Sequence, residues 1–280
     1  MLILDTHAHI YSPDEKRYPP IDKPLRPPGG KGSLEELRDE SRANNVAAAC
    51  IIQTSSFYRF DNRYICDSAK AAPDWTAGVC TLDPDDPHSP GLLQQYVRDY
   101  GIRGMRSIAA RSGRFDDAGV RALWKTALDE GIVINALSGL ATAGQVDQLV
   151  GEFPALPVVL DHCLNPEAGP DLDATVEQVL RMSRRPNLHA KLTFVPTGSK
   201  TGYPCADMHE PSREILNAFG PERCVWGSDF PCELWTPRVS YAEHLKIFIE
   251  ALGLTEGARV QILGETARRL WFPNLKPETR

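Results

Sequence analysis

Short apolar segments alternate with amphipathic ones along most of this chain. The first apolar run, Leu2 to Leu4, predicts a buried strand that ends in Asp5-Thr6-His7-Ala8-His9. Further apolar runs predict seven more strands, at residues 46–54, 75–82, 102–108, 132–137, 157–164, 188–194 and 224–229. Between and after them, the pattern predicts helices at residues 33–44, 61–72, 89–100, 116–130, 142–153, 172–184, 207–219, 241–252 and 255–271. Ser33 and Glu36 have the spacing of a capping box, which marks the start of the first helix.

Eight strand–helix units predict a parallel sheet, because parallel strands are joined through helical crossovers. In 280 residues, eight units favour an α/β fold closed as a (β/α)8 TIM barrel over an open sheet. No break in composition marks a second domain, so we expect one barrel over residues 1–272 and a tail over residues 273–280. The segment of residues 11–32 is rich in Pro and Gly and is longer than an ordinary connection between a strand and a helix. Two interpretations of it are left open, a functional lid and a surface insertion.

Composition narrows the range of functions. The formal net charge is -6 and no basic block is present, which argues against binding to nucleic acid or to an anionic membrane surface. The seven Cys form no C-x-x-C pair, which predicts reduced thiols in a cytoplasmic protein. We see no signal peptide before Asp5 and no run near the roughly 20 apolar residues of a membrane span. We therefore expect a cytoplasmic protein that binds a small molecule; whether it forms a homo-oligomer is left open.

Polar residues at the carboxyl ends of the predicted strands are the candidate active site, since active sites of such barrels lie there. His7 and His9 are two apart on a strand, so both imidazoles should point to one side. Two convergent imidazoles often form part of a metal site or an acid/base site. The alternative interpretation is a structural pair of buried, hydrogen-bonded histidines. The other strand ends supply Arg106, Asn135, Ser138, Asp161, His162, His189, Lys191 and Asp229.

Three motifs resemble those of the amidohydrolase superfamily: His7-Ala8-His9, Leu160-Asp161-His162 and Trp226-Gly227-Ser228-Asp229-Phe230-Pro231. Through residues 57–62, 101–106 and 266–270, the chain also resembles the amidohydrolase-related branch that holds 2-pyrone-4,6-dicarboxylate lactonase and related sugar lactonases. The likeness runs in order along nearly the whole chain. It implies a hydrolase that opens a lactone, or a similar cyclic ester, of a carboxylated small molecule.

These motifs suggest roles for four residues. Asp229 is expected to act as general base and then general acid for water; a helix N-cap, or an ion pair with Arg106 or Lys191, is the alternative. His7, His9 and His162 would polarise the ester carbonyl or, together with Asp229, hold one divalent metal, Zn or Mn. Catalysis without a metal is what the resemblance to the branch's namesake lactonase implies. Strand 5 offers only Asn135 where binuclear members carry a bridging Lys or Glu, so a two-metal site is not expected.

Arg106 predicts an anionic substrate, because its planar fork matches a carboxylate. Lys191 would also point into the site if strand 7 keeps its register. His189, two residues earlier, would share that face but lie deeper in the barrel. Further candidates for substrate contacts lie on loops, namely Tyr58, Arg59, Arg111, Arg114 and Tyr203. For the three loop arginines, a solvated surface charge explains the residue equally well.

Two other functions stay open. A non-oxidative decarboxylase is the first, because related barrels with the same His pair and strand-8 Asp cleave aromatic carboxylates with a metal. A non-catalytic barrel that binds a metabolite is the second, although it would have no need of the complete histidine and aspartate set. Cys163 and Cys232 adjoin key positions, but neither lies in a familiar nucleophile motif, and inert small side chains explain them better.

Overall fold

Eight parallel strands form a barrel in the computed structural model, which describes residues 1–275. The strands are β1 (Leu4–His9), β2 (Ala48–Ile52), β3 (Thr76–Thr81), β4 (Gly104–Ser107), β5 (Val133–Ala136), β6 (Val158–Leu160), β7 (Leu188–Lys191) and β8 (Cys224–Val225). They lie in the sheet in sequence order, and every neighbouring pair is parallel. The predicted (β/α)8 fold is confirmed; residues 276–280 of the predicted tail lie outside the described residues.

The barrel closes between β8 and β1 through a loop. The prediction of a strand over residues 224–229 is wrong beyond Val225, because the chain leaves the ladder there. Closure instead uses single backbone bonds: the Thr6 N–H donates to the Trp226 carbonyl at 3.1 Å, and the His9 N–H donates to the Phe230 carbonyl at 2.7 Å. This irregular seam holds the loop after β8 directly against the strand that carries the two histidines.

The helices follow the predicted alternation with shifts of a few residues at their ends. They are α1 (Leu34–Ala43), α2 (Ser55–Tyr58), α3 (Arg63–Ala71), α4 (Ser89–Tyr100), α5 (Ala118–Asp129), α6 (Ala143–Glu152), α7 (Leu172–Met182), α8 (Phe194–Gly198), α9 (His209–Phe219), α10 (Cys232–Trp235), α11 (Tyr241–Lys246), α12 (Glu256–Val260) and α13 (Thr266–Trp271). Widened helical turns extend α11 to Ala251 and join α12 to α13. The capping box is confirmed: Ser33 Oγ accepts from the Glu36 N–H at 3.1 Å, and the Glu36 carboxylate accepts from the Ser33 N–H at 2.9 Å.

The inside of the barrel is divided into an apolar floor and a polar layer above it. Val133 and Val159 belong to a buried cluster that includes Trp271 near the C-terminus. Asn135 and Asp161 come two residues after these valines and so lie on the same face, one layer closer to the carboxyl ends of the strands. The floor therefore keeps water out beneath the polar layer.

Residues 11–32 fold back over the rim of the barrel. The N–H groups of Ile21 and Leu25 donate to the carbonyls of Phe57 and Ser56, at 2.9 and 3.1 Å, and the Tyr11 N–H donates to the Gly32 carbonyl at 2.9 Å. The segment is thus packed beside α2, the short helix that follows β2. Within residues 1–275, none of the helices combines the length and apolarity that a membrane crossing would need.

Candidate active site

The two histidines of β1 converge. His7 Nε2 and His9 Nε2 are 3.3 Å apart, as the alternation of side chains along a strand predicted. Both rings are buried, and burial is the main cause that holds the pKa of each well below its ordinary value. His9 Nδ1 lies 3.1 Å from the Ile52 carbonyl, which can only accept a hydrogen bond. The His9 proton is therefore on Nδ1, and Nε2 carries the lone pair.

A left-handed turn follows β6 and directs two neighbouring side chains into the site. The predicted strand over residues 157–164 is wrong after Leu160, because His162 to Asn165 all have positive φ angles, with His162 at 52°. Such a conformation costs roughly 1–3 kcal/mol for a residue other than glycine. It lets Asp161 and His162, which would point to opposite faces of a strand, lie on the same side of the barrel.

Asp161 is the centre of the buried charges. Its carboxylate accepts from Lys191 Nζ at 2.8 Å and from Arg106 Nε at 3.1 Å, with Asn135 Nδ2 at 3.4 Å. Burial alone would raise the pKa of Asp161, but Lys191 and Arg106 together outweigh it and hold that pKa far below its usual range. Asp161 is thus ionised, and it fixes both cations.

The same two cations flank His7. Arg106 Nη2 lies 2.7 Å from His7 Nε2, and Lys191 Nζ lies 3.2 Å from His7 Nδ1. Burial lowers the pKa of His7 most, and the charge of Lys191 lowers it further, so the ring is neutral. The 3.5 Å contact of His7 Nε2 with Asp229 is accordingly not an ion pair.

Asp229 lies at the irregular seam, where its backbone is also left-handed at φ 58°. Its N–H donates to the His7 carbonyl at 2.9 Å, and its Oδ1 lies 3.5 and 3.9 Å from the Nε2 atoms of His7 and His9. Burial raises the pKa of Asp229 to about 7. Among the described residues it forms no ion pair with a lysine or arginine, and α10 begins only at Cys232, so neither structural alternative to a functional Asp229 is observed.

A buried carboxylate on β1 holds this loop in place. Asp5 accepts from the backbone N–H of Ser228 at 2.9 Å, from its hydroxyl at 2.6 Å and from the Tyr241 hydroxyl at 3.0 Å. The preceding residue, Gly227, has no room for a side chain, because a Cβ there would lie 2.7 Å from the Cβ of His7. Close contact between β1 and the loop therefore fixes Asp229 beside the histidines.

A cavity of about 360 Å³ opens above these groups. It is lined by His9, Ser55, Ser56, Arg106, Leu137, His162, Asn165, Thr197, Asp229 and Trp235. His7 and Lys191 lie beneath it, both with no exposed surface. A larger cavity of about 660 Å³ lies between α1 and the β8 loop, but its carboxylates include the helix-capping Glu36 and Glu243. The smaller cavity is therefore the candidate active site.

Several predicted substrate contacts on loops do not line this cavity. Tyr58 is buried in an aromatic cluster, where its hydroxyl accepts from the Ser12 N–H at 2.7 Å. Arg59 is exposed beside Asp83 in a separate cavity, and Tyr203 is 39% exposed at the surface. Loop conformation, which the strand pattern does not determine, directs these side chains elsewhere.

Other singled-out side chains are also engaged away from the cavity. The Arg111 guanidinium lies 3.6 Å from the carboxylates of both Asp83 and Asp85, and Arg114 pairs with Asp116 at 2.7 Å. Cys163 is buried and donates to the Lys191 carbonyl at 3.3 Å. Burial raises the pKa values of Cys163 and Cys232, the latter to about 12, so both are protonated thiols.

Two residues of the site were not singled out from the sequence, whereas Asp161 was already among the strand-end candidates. Trp235 lines the cavity from α10, with its ring centre 5.5 Å from that of His9. Thr193 is fully buried, and its Oγ1 lies 2.6 Å from His162 Nδ1. No pattern in the sequence distinguishes the last two from ordinary core residues.

The donor atoms fit one divalent cation. Among the described residues, two buried groups offer ligand atoms within 4.8 Å of one another: His7, His9 and Asp229, and His7, Asp161 and His162. Asp161 is already engaged by Lys191 and Arg106, so the first group is the better fit, and the lone pair of His9 Nε2 is free of the Ile52 carbonyl. Nitrogen and carboxylate donors of this kind suit Zn or Mn. Arg106 Nη2 already donates a hydrogen bond to His7 Nε2, however. The arginine would have to move for His7 to bind a metal through Nε2.

Known proteins resemble the chain over most of its length. An L-fucono-1,5-lactonase from Burkholderia ambifaria is 24% identical over 236 residues, which cover 81% of this chain and 80% of the lactonase. A 4-sulfomuconolactone hydrolase from Rhizobium radiobacter is 25% identical over 243 residues, covering 81% and 75% respectively.

Solved structures share the fold. A Pseudomonas putida protein described as a 2-pyrone-4,6-dicarboxylic acid hydrolase superposes with a TM-score of 0.81 at 23% identity, over 98% of this chain and 99% of the other. An amidohydrolase from Burkholderia multivorans with bound zinc has a TM-score of 0.77 at 22% identity, over 96% and 99%. The amidohydrolase family model matches residues 4–272. The chain therefore belongs to the amidohydrolase family and is a hydrolase.

Proposed function

We propose that this hydrolase opens a lactone, or a similar cyclic ester, of a small molecule, with Asp229 as the group that moves the proton. The observation that carries the proposal is a carboxylate whose pKa burial raises to about 7, lining a cavity beside Arg106 and His162. A general acid or base works best when its pKa lies near the operating pH. The two similar proteins described as a lactonase and a lactone hydrolase support the same substrate class.

Asp229 would serve both halves of the reaction. It takes a proton from water as the water oxygen bonds to the ester carbon, and it returns that proton to the ring oxygen as the carbon–oxygen bond breaks. The product is a hydroxy acid. Arg106 and His162 would stabilise the negative charge that develops on the carbonyl oxygen. A divalent ion, when bound, would be held by His7, His9 and Asp229 and would polarise the same carbonyl.

Arg106 also bears on the choice of substrate. Its Nε and Nη2 are engaged by Asp161 and His7, and within residues 1–275 its Nη1 takes part in no hydrogen bond. It can therefore offer an acidic substrate the N–H groups of Nη1 but not the full two-pronged fork. The other lining residues are mostly neutral hydroxyl and amide side chains with one indole. A hydroxylated lactone with one carboxylate suits this lining best.

The test is a panel of three substrate types: neutral sugar lactones, carboxylated lactones and aromatic carboxylates. Acid release followed by pH-stat reports ester opening, and carbon dioxide release reports decarboxylation. Bound metal is measured on the same preparation, before and after treatment with a chelator. Carbon dioxide release without acid release from any lactone would overturn the proposal in favour of the decarboxylase alternative.

A further inference from the structure

Thr193 lies in the segment between β7 and α8, next to His162. Its Oγ1 is 2.6 Å from His162 Nδ1, and its side chain is fully buried. Among residues 1–275, this hydroxyl makes no other hydrogen bond. The contact with His162 is therefore the whole of the hydrogen bonding that the described part of the chain gives Thr193 Oγ1.

The direction of this bond follows from counting protons. A hydroxyl has one proton to donate, and a buried donor without an acceptor is strongly disfavoured. Within residues 1–275, the only acceptor that Thr193 Oγ1 contacts is His162 Nδ1. A ring protonated on Nδ1, whether neutral or cationic, would leave the threonine proton without a partner. His162 Nδ1 must therefore carry the lone pair, and the ring proton is on Nε2.

His9 is held in the opposite tautomer. Its Nδ1 faces the Ile52 carbonyl, which fixes the proton on Nδ1 and leaves Nε2 bare. Both rings line the candidate active site. The site therefore has one imidazole with a free lone pair and one imidazole with a free N–H.

We propose that Thr193 is a positioning residue that holds His162 in the Nε2–H tautomer. His162 then donates a hydrogen bond to the carbonyl oxygen of the substrate and is not a metal ligand through Nε2. A metal, when bound, is left with His7, His9 and Asp229. The identity of the acceptor rests on the proposed lactone hydrolysis, whereas the tautomer rests on the Thr193 contact alone.

Nuclear magnetic resonance of the whole chain tests the tautomer directly. Protein labelled with nitrogen-15 at its seven histidines is recorded as wild type and as Thr193→Val, which removes the hydroxyl but keeps the shape. The His162 signals are assigned by their loss in His162→Asn. We expect a bare Nδ1 and a protonated Nε2 in the wild type, and a shift towards the other tautomer in Thr193→Val. A wild-type ring protonated on Nδ1 overturns the inference, as does a tautomer unchanged by the substitution.

Kinetics on a lactone substrate provide the second arm. Thr193→Val should lower kcat by between about 10-fold and the roughly 10²-fold that loss of a whole oxyanion donor causes, with KM little changed. Thr193→Ser keeps the hydroxyl and should restore most of the rate. Thr126→Val, which removes a buried hydroxyl bonded to the Ala122 carbonyl in α5, is the matched control and should leave kcat unchanged.

The NMR and kinetic experiments test the role of Thr193 and the proposed lactone hydrolysis separately. The spectra need no substrate, so a chain inactive on every lactone could still have the Nε2–H tautomer, and only the proposed function would fall. Active wild type with the Nδ1–H tautomer would overturn the role of Thr193 and leave lactone hydrolysis standing. Melting temperatures of the three Thr variants distinguish a local loss from misfolding.

Discussion

Replacing Asp229 by Asn tests the centre of the proposed mechanism. The amide keeps the size of the side chain but cannot accept the proton of the attacking water. Removing a general base typically costs 10²-fold or more in rate, so we expect kcat to fall by at least about 10²-fold. The measurement is kcat on the best lactone at pH 8, where a carboxylate with a pKa of about 7 is mostly ionised.

The same substitution has a predictable effect on stability. Burial raises the pKa of Asp229 from the ordinary 3.8 to about 7, a difference that corresponds to roughly 4 kcal/mol of disfavoured ionisation. Asp229 is only 4% exposed, so solvent screening reduces this value little. Because the folded pKa is the higher one, the protonated group stabilises the fold at low pH, and that contribution is lost as pH rises from about 4 to about 7. Asn carries no charge, so the variant should be at least as stable as wild type at pH 8.

Loss of turnover together with unchanged or raised melting temperature would be the signature of a general base. If Asp229 is chiefly a metal ligand, the variant should lose bound metal, and excess metal should partly restore the rate. If it is a structural residue, the melting temperature should fall while kcat per folded molecule stays near wild type. A stable variant with unchanged metal content and near-normal turnover would refute the reasoning.

Three further outcomes are expected. Arg106→Lys should lower kcat/KM on a carboxylated lactone by an amount equivalent to roughly 1.5–3 kcal/mol, because one ammonium cannot contact Asp161, His7 and substrate together; unchanged kinetics in a folded variant would contradict this role. The kcat/KM of metal-free wild type should rise with pH to about 7 and then level off, because Asp229 must be ionised to act as base. A kcat/KM profile that levels off near pH 4 instead would exclude Asp229 as a base with a raised pKa. Gly227→Ala should reduce activity and melting temperature together, because its Cβ would lie 2.9 Å from the His7 backbone nitrogen; an unaffected circular dichroism melt would show that the seam can relax.

Some features of the site follow from local rules that the sequence displays. The spacing of His7 and His9 is sufficient to place both rings on one face, because side chains alternate along any strand. The same rule places Arg106, Asn135 and Lys191 inside the barrel once their strands are recognised. These groups converge because each sits at the carboxyl end of a parallel strand.

Other features depend on backbone conformations that have no such pattern. The left-handed turn after β6 breaks the alternation, and it alone lets Asp161 join His162 on one side. The loop after β8 leaves the ladder at Trp226, so the position of Asp229 depends on hydrogen bonds to β1 from residues more than 200 positions away. Loop conformation likewise turns Arg59 and Tyr203 outwards.

The sequence by itself determined the order of strands and helices, the barrel, and the motifs of the site, since hydrophobic periodicity and residue spacing are local properties of the chain. Only the tertiary structure decided which polar atoms meet: that Asp161 fixes both Arg106 and Lys191, that burial raises the pKa of Asp229, and that Thr193 faces His162. Those properties arise from distances and desolvation between residues far apart in the chain, and they exist only once the barrel has closed.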